Sequence, residues 1–417
     1  GWRVWTKKES IMSQAYQNLS REDRNRVDRL LADTKAHGGV APVDLDAFWR
    51  DQETALADPF GASIPQVPLG AICNWECIFD ELGLDMDGWR FLYEDRAWAL
   101  EISRQYNDRA EAIVGRRILK EQPDEPPERC WPEVKELHDL FEARNVWEGG
   151  PGGSWWLQPA ADTPAELSAL LDRVEKRLEH LRDFLLPENW GEAQKRLTAL
   201  GVPPRLYRRQ RGPCTFACSI FGPENLLLLA YDDPDLFARF SDVLGRAILE
   251  RARVLDEEAG FDAAAAVRGW SWADDNCCLF TPAMYEVFAM PIHRMVFSRY
   301  APDAGDQRYQ HSDSAMGHLL PLLTELRLTR TNFGPTLTVA EIRRHCPQAV
   351  IDGQLAPFTY SRNEQAEIVA EFLRDFGQAR AARGLKFSTA GSINNGTRLT
   401  SMRLLMAAIQ RYGRYAP

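Results

Sequence analysis

Hydrophobic residues in the C-terminal half of the chain come in short runs that alternate with longer amphipathic stretches. The short runs predict strands at residues 265–270, 308–310, 328–332, 349–351 and 385–388. The amphipathic stretches predict helices at residues 234–259, 282–300, 315–326, 339–345, 362–380 and 398–411. Strands that alternate with helices indicate a parallel sheet. At least five such units favour a closed (β/α)8 TIM barrel, in the α/β class, over a doubly wound sheet.

The N-terminal third is predicted to be helical, with irregular connections. Ser20 and Asp23 are capping residues for a helix that runs to about residue 35. Thr163 and Glu166 form a capping box, with Pro164 in the first turn, so a helix is expected from there to about residue 186. The remaining segments are helices at 43–56 and 89–114, a loop at 122–131, a glycine-rich breaker at 148–153 and a strand at 154–157.

The length of 417 residues suits one large barrel with extra N-terminal helices, and a two-domain chain competes with that interpretation. In the one-barrel interpretation, residues 12–150 hold the N-terminal helical extension and the first barrel elements. Residues 151–417 then form the remainder of the barrel. Residues 1–11 precede Met12 and are either an added tag or a natural tail, so they are left out of the fold prediction.

Composition narrows the classes of partner and the cellular compartment. The net charge of −10 argues against nucleic acid or a membrane surface as the main partner, and it weighs against a substrate with many carboxylates. No run approaches the ~18 apolar residues that a membrane span needs. The eight cysteines include no CxxC pair, and no secretory signal precedes them. We therefore expect a cytoplasmic protein without a disulfide framework or a standard structural zinc site.

Polar and glycine residues are concentrated directly after the predicted strands. Barrel enzymes place their catalytic groups at this end of the strands. Helix or sheet propensity does not explain the concentration, so we expect an active site built around the segment 309–313. The polar segments are 272–276, 311–313, 332–336, 352–357 and 390–396.

The leading catalytic candidates are Asp274, Asp275, His311 and Ser392. His311 is one of only seven histidines, and Asp313 follows it by two positions. Carboxylates can raise the basicity of an imidazole or share a metal with it, whereas the alternative is a histidine satisfied by hydrogen bonds at a strand end. Asp274 and Asp275 are candidates for a general acid–base pair, because like charges held close separate their pKa values. A capping role at a helix start is the alternative for that pair.

Two further groups are candidates for binding an anion. Ser392 and Asn394 lie in a glycine-bracketed turn, which can offer backbone N–H groups, although simple turn chemistry explains such residues equally well. A basic cluster precedes the Gly212-Pro213 pair and can clamp a substrate carboxylate, although a solvated surface is the commoner explanation. Its members are Arg205, Arg208, Arg209 and Arg211.

Several motifs in the C-terminal half, in this order, resemble the uroporphyrinogen decarboxylase superfamily, which holds the haem-pathway decarboxylase and the corrinoid-linked methyltransferases. Residues 212–216 resemble its Gly/Ala-Pro-x-Thr strand. His311 falls where the methyltransferases begin their His-x-Cys zinc motif. The other similar segments are 231–234, 281–285 with Pro291, 353–357 and 411–415. The resemblance covers roughly residues 205–417 and implies a (β/α)8 barrel with a deep cleft at the C-terminal face.

The sequence lacks residues that the superfamily uses for each of these two activities. The arginine-rich motif that binds porphyrinogen carboxylates has no counterpart. The family's active-site Tyr, Ser and His align with Ser219, Asp275 and Ser392. The zinc cysteine of His-x-Cys is replaced by Asp313. A metal would therefore be held by His311, Asp313 and Asp275, with Cys277 as an outside candidate, a ligand set that suits zinc, manganese or iron.

Three functions remain open from the sequence. The first is metal-assisted methyl transfer or demethylation of a small molecule, in which Ser392 and Asn394 orient the substrate. The second is a metal-free decarboxylase or lyase on a carboxylated substrate, in which Asp275 stabilises a protonated intermediate. The third is a non-catalytic ligand-binding barrel. The resemblance implies a separate corrinoid protein as partner in the first case, and a homodimer. The candidate substrate-binding residues are Ser219, Asn332, Gln354, Asn394 and Arg208.

Overall fold

The computed structural model describes residues 14–208, 210–261 and 267–415. The strands are β1 (Arg144–Glu148), β2 (Ser154–Gln158), β3 (Trp270–Ala273), β4 (Arg308–Ser312), β5 (Arg330–Phe333), β6 (Val350–Leu355) and β7 (Leu385–Thr389). Short 3-10 or π turns lie at Arg90–Glu94, Pro127–Arg129, Gly150–Gly152, Asp275–Leu279, Gly317–Leu319 and Thr324–Leu326.

Helices form most of the described chain. In chain order they are α1 (Ala15–Asn18), α2 (Arg21–Ala36), α3 (Leu45–Ala57), α4 (Cys77–Leu82), α5 (Arg96–Val114), α6 (Leu137–Leu140), α7 (Pro164–Leu178), α8 (Leu181–Leu185), α9 (Trp190–Ala199), α10 (Pro213–Phe221), α11 (Pro223–Asp232), α12 (Pro234–Glu258), α13 (Pro282–Tyr300), α14 (Leu320–Leu323), α15 (Val339–His345), α16 (Pro357–Ser361), α17 (Gln365–Ala379) and α18 (Leu399–Tyr412). Among the described residues no single helix is long and apolar enough to cross a membrane. Only α10 and α11 together pass that test, and they are bent by 97°.

Local capping chemistry sets several of these helix starts. The Ser20 hydroxyl accepts a hydrogen bond from the Asp23 amide, and Thr163 and Thr338 each form a complete capping box. The Thr281 hydroxyl accepts from the third residue of α13 in the same way. Each such bond satisfies an amide that has no partner inside its own helix. The predicted bounds of α13 and α15 are confirmed.

The chain divides into two compact units. Unit 1 comprises the described residues 14–122 and 330–415, and unit 2 comprises residues 123–329. In unit 1, β6 lies between β5 and β7, and all three strands are parallel. Residues 68–70 run beside β7, where Leu69 forms a parallel bridge with Phe387. Phe372 of α17 packs edge-on against Phe387 with ring centroids 5.1 Å apart, which places the apolar core between helix and sheet.

Unit 2 contains an antiparallel hairpin and a parallel strand pair. Strands β1 and β2 form the hairpin across the glycine-rich segment; the strand predicted at 154–157 is β2, and β1 was not predicted. Strands β3 and β4 are parallel, with Ala273 opposite His311. Helices α12 and α13 pack through Phe237 and Phe288, whose ring centroids are 4.9 Å apart. This packing buries apolar surface behind the strand pair and supports the strand ends that carry polar residues.

The α/β class is confirmed, with five parallel strands in the C-terminal half. A closed ring of eight strands is not formed within residues 14–208, 210–261 and 267–415. Strands β5 and β6 lie a few residues later than predicted, so residues 353–355 belong to β6 and not to the turn after it. Of the strand predicted at 265–270, residues 265 and 266 lie outside the described residues, and β3 begins at Trp270. The family-like segment 212–216, predicted to be a strand, is the start of α10.

Three predicted helices are interrupted, and a fourth begins later than predicted. The helix predicted at 89–114 breaks at Asp95, whose carboxylate caps the start of α5. The helix predicted at 163–186 divides into α7 and α8. In the segment 315–326, Pro321 lies at the start of a short helix that is flanked by two 3-10 turns. The helix predicted at 362–380 is α17, which begins at Gln365, because Asn363 has a φ of 57° that ends the preceding helix α16.

Candidate metal centre

Three candidate residues follow the C-terminal ends of the neighbouring strands β3 and β4. Strand β3 ends at Ala273, and a 3-10 turn that begins with Asp275 comes next. His311 lies near the end of β4, and Asp313 directly follows that strand. The parallel register, together with a bond from the Asp274 amide to the His311 carbonyl (2.9 Å), brings the two strand ends side by side.

Asp275, His311 and Asp313 converge on one point. One ligand atom from each side chain lies within 4.8 Å of the other two. The distance between His311 Nε2 and Asp275 Oδ1 is 3.5 Å, and the Asp313 amide donates a hydrogen bond to the same oxygen at 3.0 Å. His311 and Asp275 are half-buried and Asp313 is exposed, so the point is open to small molecules.

The charges of this cluster favour the binding of a cation. The pKa of Asp313 is raised, first because neighbouring groups reduce its hydration and then because the Asp275 carboxylate lies close. His311 lowers it in part. Two carboxylates at this separation repel each other, and either a shared proton or a cation relieves the repulsion. The cluster therefore fits a divalent ion with two oxygen ligands and one nitrogen ligand.

Asp274 points away from this cluster, into the start of α10. Its side chain is fully buried, and Oδ1 accepts a hydrogen bond from the Thr215 amide at 2.7 Å. Residue 212 precedes α10 and is a glycine, so Asp274 supplies the capping oxygen that the helix lacks locally. Burial raises its pKa to about 6. The structure thus separates Asp274 from Asp275, which were predicted as an acid–base pair.

Thr215 connects α10 to the turn that carries Asp275. Its hydroxyl accepts a hydrogen bond from the Asn276 amide at 3.0 Å, in addition to the bond from its own amide to Asp274. Thr215 was predicted only as part of the family-like segment 212–216, without a role of its own. The position of this threonine in the family-like motif is the sequence feature that could have indicated its anchoring role.

Cys277 is not part of the ligand cluster. The thiol is buried, and it donates toward the Ser312 hydroxyl with a sulfur–oxygen distance of 3.6 Å. Burial raises the pKa of this thiol, so the neutral form dominates, which is a poor metal ligand. All eight cysteines lie in the described segments, and none forms a disulfide.

Among the arginines of the predicted basic cluster, Arg211 is the best candidate for binding a ligand. Its Nη1 donates to the Ser219 hydroxyl at 3.1 Å, and Ser219 in turn donates to the Thr215 carbonyl at 2.9 Å. Burial lowers the pKa of Arg211, and the charge of Asp275 raises it. Ser219, the residue aligned with the family's tyrosine, therefore positions a guanidinium group whose charge interacts with the metal-ligand cluster.

The other arginines of the predicted basic cluster point elsewhere. Arg208 is buried and forms a two-pronged ion pair with Asp256, so its guanidinium is already matched by a carboxylate. Arg205 pairs with Glu133 at 2.8 Å. Arg209 lies outside the described residues. The cluster therefore does not act as a single clamp in the described segments.

Two candidate amides of unit 1 hold backbone in place. Asn332 is buried in β5, and its amide donates to the carbonyls of Asp352 and Thr389 at 2.7 and 2.9 Å. Gln354 is buried in β6 and donates to the Gly334 carbonyl at 3.1 Å. Both side chains join neighbouring strands and loops, which accounts for their burial without a substrate.

The glycine-bracketed turn after β7 is more exposed than Asn332 and Gln354. Ser392 is exposed, and Asn394 is half-buried. The Thr397 hydroxyl donates to the Asn394 carbonyl at 3.1 Å, so the turn is closed by its own side chains. Within unit 1, Ser392 and Asn394 are the predicted binding residues that remain accessible.

Comparisons with known proteins place the chain in a family. Residues 206–412 match the model of "Uroporphyrinogen decarboxylase (URO-D)". A solved structure described as a methyltransferase from Methanosarcina mazei is similar with a TM-score of 0.50 and 14% identity. The similarity covers 86% of this chain and 97% of that one, and at this identity it concerns the fold alone. The comparison with curated proteins gives no match. Through residues 206–412 the chain belongs to the uroporphyrinogen decarboxylase superfamily.

Proposed function

We propose that the chain is an enzyme of this superfamily that removes or transfers a methyl group of a small molecule with the help of a divalent cation. The observation that carries the proposal is the convergence of Asp275, His311 and Asp313, whose ligand atoms lie within 4.8 Å of one another. Three protein ligands leave coordination positions for a substrate, as in catalytic metal sites. The name of the Methanosarcina mazei neighbour, a methyltransferase, agrees with this class of reaction.

The chemistry of the three side chains supports zinc, manganese or iron as the ion. Carboxylate and imidazole ligands suit these ions, whereas the cysteine-rich sites of thiol-activating zinc enzymes suit softer chemistry. A bound cation would act as a Lewis acid on a substrate heteroatom. Asp275 and Asp313 balance its charge, and His311 contributes a neutral imidazole nitrogen.

One ligand is oriented before any ion arrives. The Asp313 amide holds Asp275 Oδ1 by a hydrogen bond, and the Thr215 hydroxyl fixes the turn that carries Asp275. Such outer contacts determine how tightly a metal binds. In this proposal the methyl acceptor is a corrinoid protein on a separate chain.

The direct test is a metal titration of chelator-treated protein with Zn²⁺ or Mn²⁺. Wild-type protein is expected to bind a single ion per chain, and Asp313→Asn and His311→Gln are expected to bind it at least roughly tenfold more weakly. Asp303→Asn is the matched control, because Asp303 is an exposed carboxylate of the same unit that pairs with Arg268. Absence of binding to the wild type, or equal binding by Asp313→Asn and Asp303→Asn, would rule out the centre.

A second measurement tests the reaction class. Demethylation of a panel of methylated small molecules is expected to stop on chelation and to return on addition of the ion. Activity that survives complete metal removal would instead support the metal-free decarboxylase or lyase. In that case carbon dioxide release from carboxylated candidates is the assay.

A further inference from the structure

Arg211 carries a charge that the described protein does not neutralise. In residues 14–208, 210–261 and 267–415, no carboxylate lies within ion-pair distance of its guanidinium. Its partners are neutral: the Ser219 hydroxyl at 3.1 Å and the Trp155 carbonyl at 3.4 Å. A half-buried arginine without an anionic partner is costly to the folded state unless it serves a ligand. Arg205 and Arg208, in the same segment, each have a carboxylate partner.

A small cleft of about 90 Å³ opens beside Arg211, within unit 2. Leu157 and Phe216 supply apolar wall, and Asn145 and His138 supply polar groups. The only acid in the lining is Glu136, which is already paired with Arg251 at 2.9 Å. The cleft therefore combines one unmatched positive charge with an apolar surface.

We propose that Arg211 binds the carboxylate of the substrate, so that the substrate is a small, largely apolar acid. The guanidinium fork matches the two oxygens of a carboxylate, and Ser219 holds the fork in place. The apolar part of the acid lies against Phe216 and Leu157. This inference rests on the proposed function. Arg211 is linked through the Ser219 hydroxyl to Thr215. The Thr215 hydroxyl in turn accepts from the Asn276 amide in the turn that carries Asp275 of the metal-ligand cluster.

The test uses benzoate and its neutral counterpart benzamide, titrated against chelator-treated protein by ligand-observed NMR. Benzoate is expected to bind saturably to the wild type, and benzamide at least tenfold more weakly. Arg211→Gln is expected to weaken benzoate binding at least tenfold, and Arg211→Lys to weaken it less, because a lysine keeps the charge but loses the fork. Arg205→Gln is the matched control and is expected to bind benzoate like the wild type.

Three results would overturn the proposal: no saturable binding of benzoate to the wild type, equal binding of benzoate and benzamide, or equal binding by Arg211→Gln and Arg205→Gln. The circular dichroism of each variant verifies its fold, and Arg211→Lys carries the test if Arg211→Gln does not fold. Because the protein is metal-free, a failed metal titration leaves the benzoate result intact. Conversely, metal binding by Arg211→Gln with normal stoichiometry separates this site from the metal centre.

Discussion

Gly212 and Asp274 meet at the start of α10 in a contact that leaves no room for a side chain on the glycine. A Cβ atom at position 212 would lie 2.3 Å from Asp274 Cβ and 2.5 Å from its Cγ. Gly212 has a φ of −66°, so the position requires space and not an unusual backbone conformation. The close approach lets the Asp274 carboxylate reach the Thr215 amide.

Gly212→Ala is expected to lower the free energy of unfolding by about 1–3 kcal/mol, because the added methyl group must displace Asp274 or the backbone. Urea unfolding followed by circular dichroism measures the loss. Gly191→Ala is the matched control, since Gly191 lies in the first turn of α9 with no atom within 4 Å of an added Cβ. That change is expected to be neutral or stabilising by at most about 1 kcal/mol. Equal effects of both substitutions would contradict the steric argument.

Asp274 is also expected to make stability depend on pH. Burial raises its pKa from 3.8 to about 6, so between these values the folded state binds more protons than the unfolded chain. Its contribution to stability therefore falls as pH rises from about 4 to about 6 and stays low above that. Asp274→Asn keeps the oxygen for Thr215 and removes the charge. Relative to the wild type, its free energy of unfolding should rise by about 2 kcal/mol between pH 4 and pH 7. A constant difference across denaturant titrations in that range would refute this.

At the level of the elements, the sequence predicts what local chemistry determines. Helices α13 and α15 were predicted to the residue, because Thr281 and Thr338 cap them from adjacent positions. Helix α10 was mistaken for a strand, because its capping oxygen comes from Asp274, far along the chain. A capping group that arrives through tertiary contact leaves no local pattern in the sequence.

The candidate metal centre was likewise predictable in part: the sequence indicates its residues but not their distances. Asp275, His311 and Asp313 were predicted because they follow strands, but their convergence depends on the register of β3 against β4. That register is set by packing, so distances between the side chains were not predictable. The sequence also favoured Arg208 as a binding residue. Its buried partner Asp256 lies on α12, a pairing that no sequence spacing reveals.

Thr215→Val tests whether α10 positions the turn that carries Asp275. The valine cannot accept the hydrogen bond from the Asn276 amide, so the turn should loosen. We expect a loss of about 1 kcal/mol in stability and roughly tenfold weaker metal binding by the titration proposed above. Thr215→Ser keeps the hydroxyl and should restore both values. If the serine and valine variants bind the ion equally, the hydroxyl has no positioning role.

At the scale of the molecule, unit 1 is built from two distant parts of the chain. Arg403 of α18 joins them from a buried position. Its guanidinium donates to the carbonyls of Ala41, Ile113 and Val43 at 2.7, 2.9 and 3.1 Å. These carbonyls belong to the N-terminal part, so a C-terminal side chain satisfies backbone groups of the N-terminal helices. The integrity of unit 1 therefore depends on both parts.

Arg403→Gln is expected to lower the free energy of unfolding by about 3 kcal/mol or more, because one amide cannot replace three donors and leaves carbonyls unsatisfied. Arg411→Gln is the matched control on the same helix, since Arg411 pairs with Asp33 at the surface. A surface pair of this kind contributes at most about 1 kcal/mol. Denaturant unfolding measures both variants, and hydrogen exchange of the Ala41, Val43 and Ile113 amides reports whether the loss is local to this junction. If both substitutions cost the same, Arg403 does not link the two parts of unit 1. A larger loss for Arg403→Gln, with faster exchange in the N-terminal part, is the expected result, because the missing donors lie on the C-terminal helix.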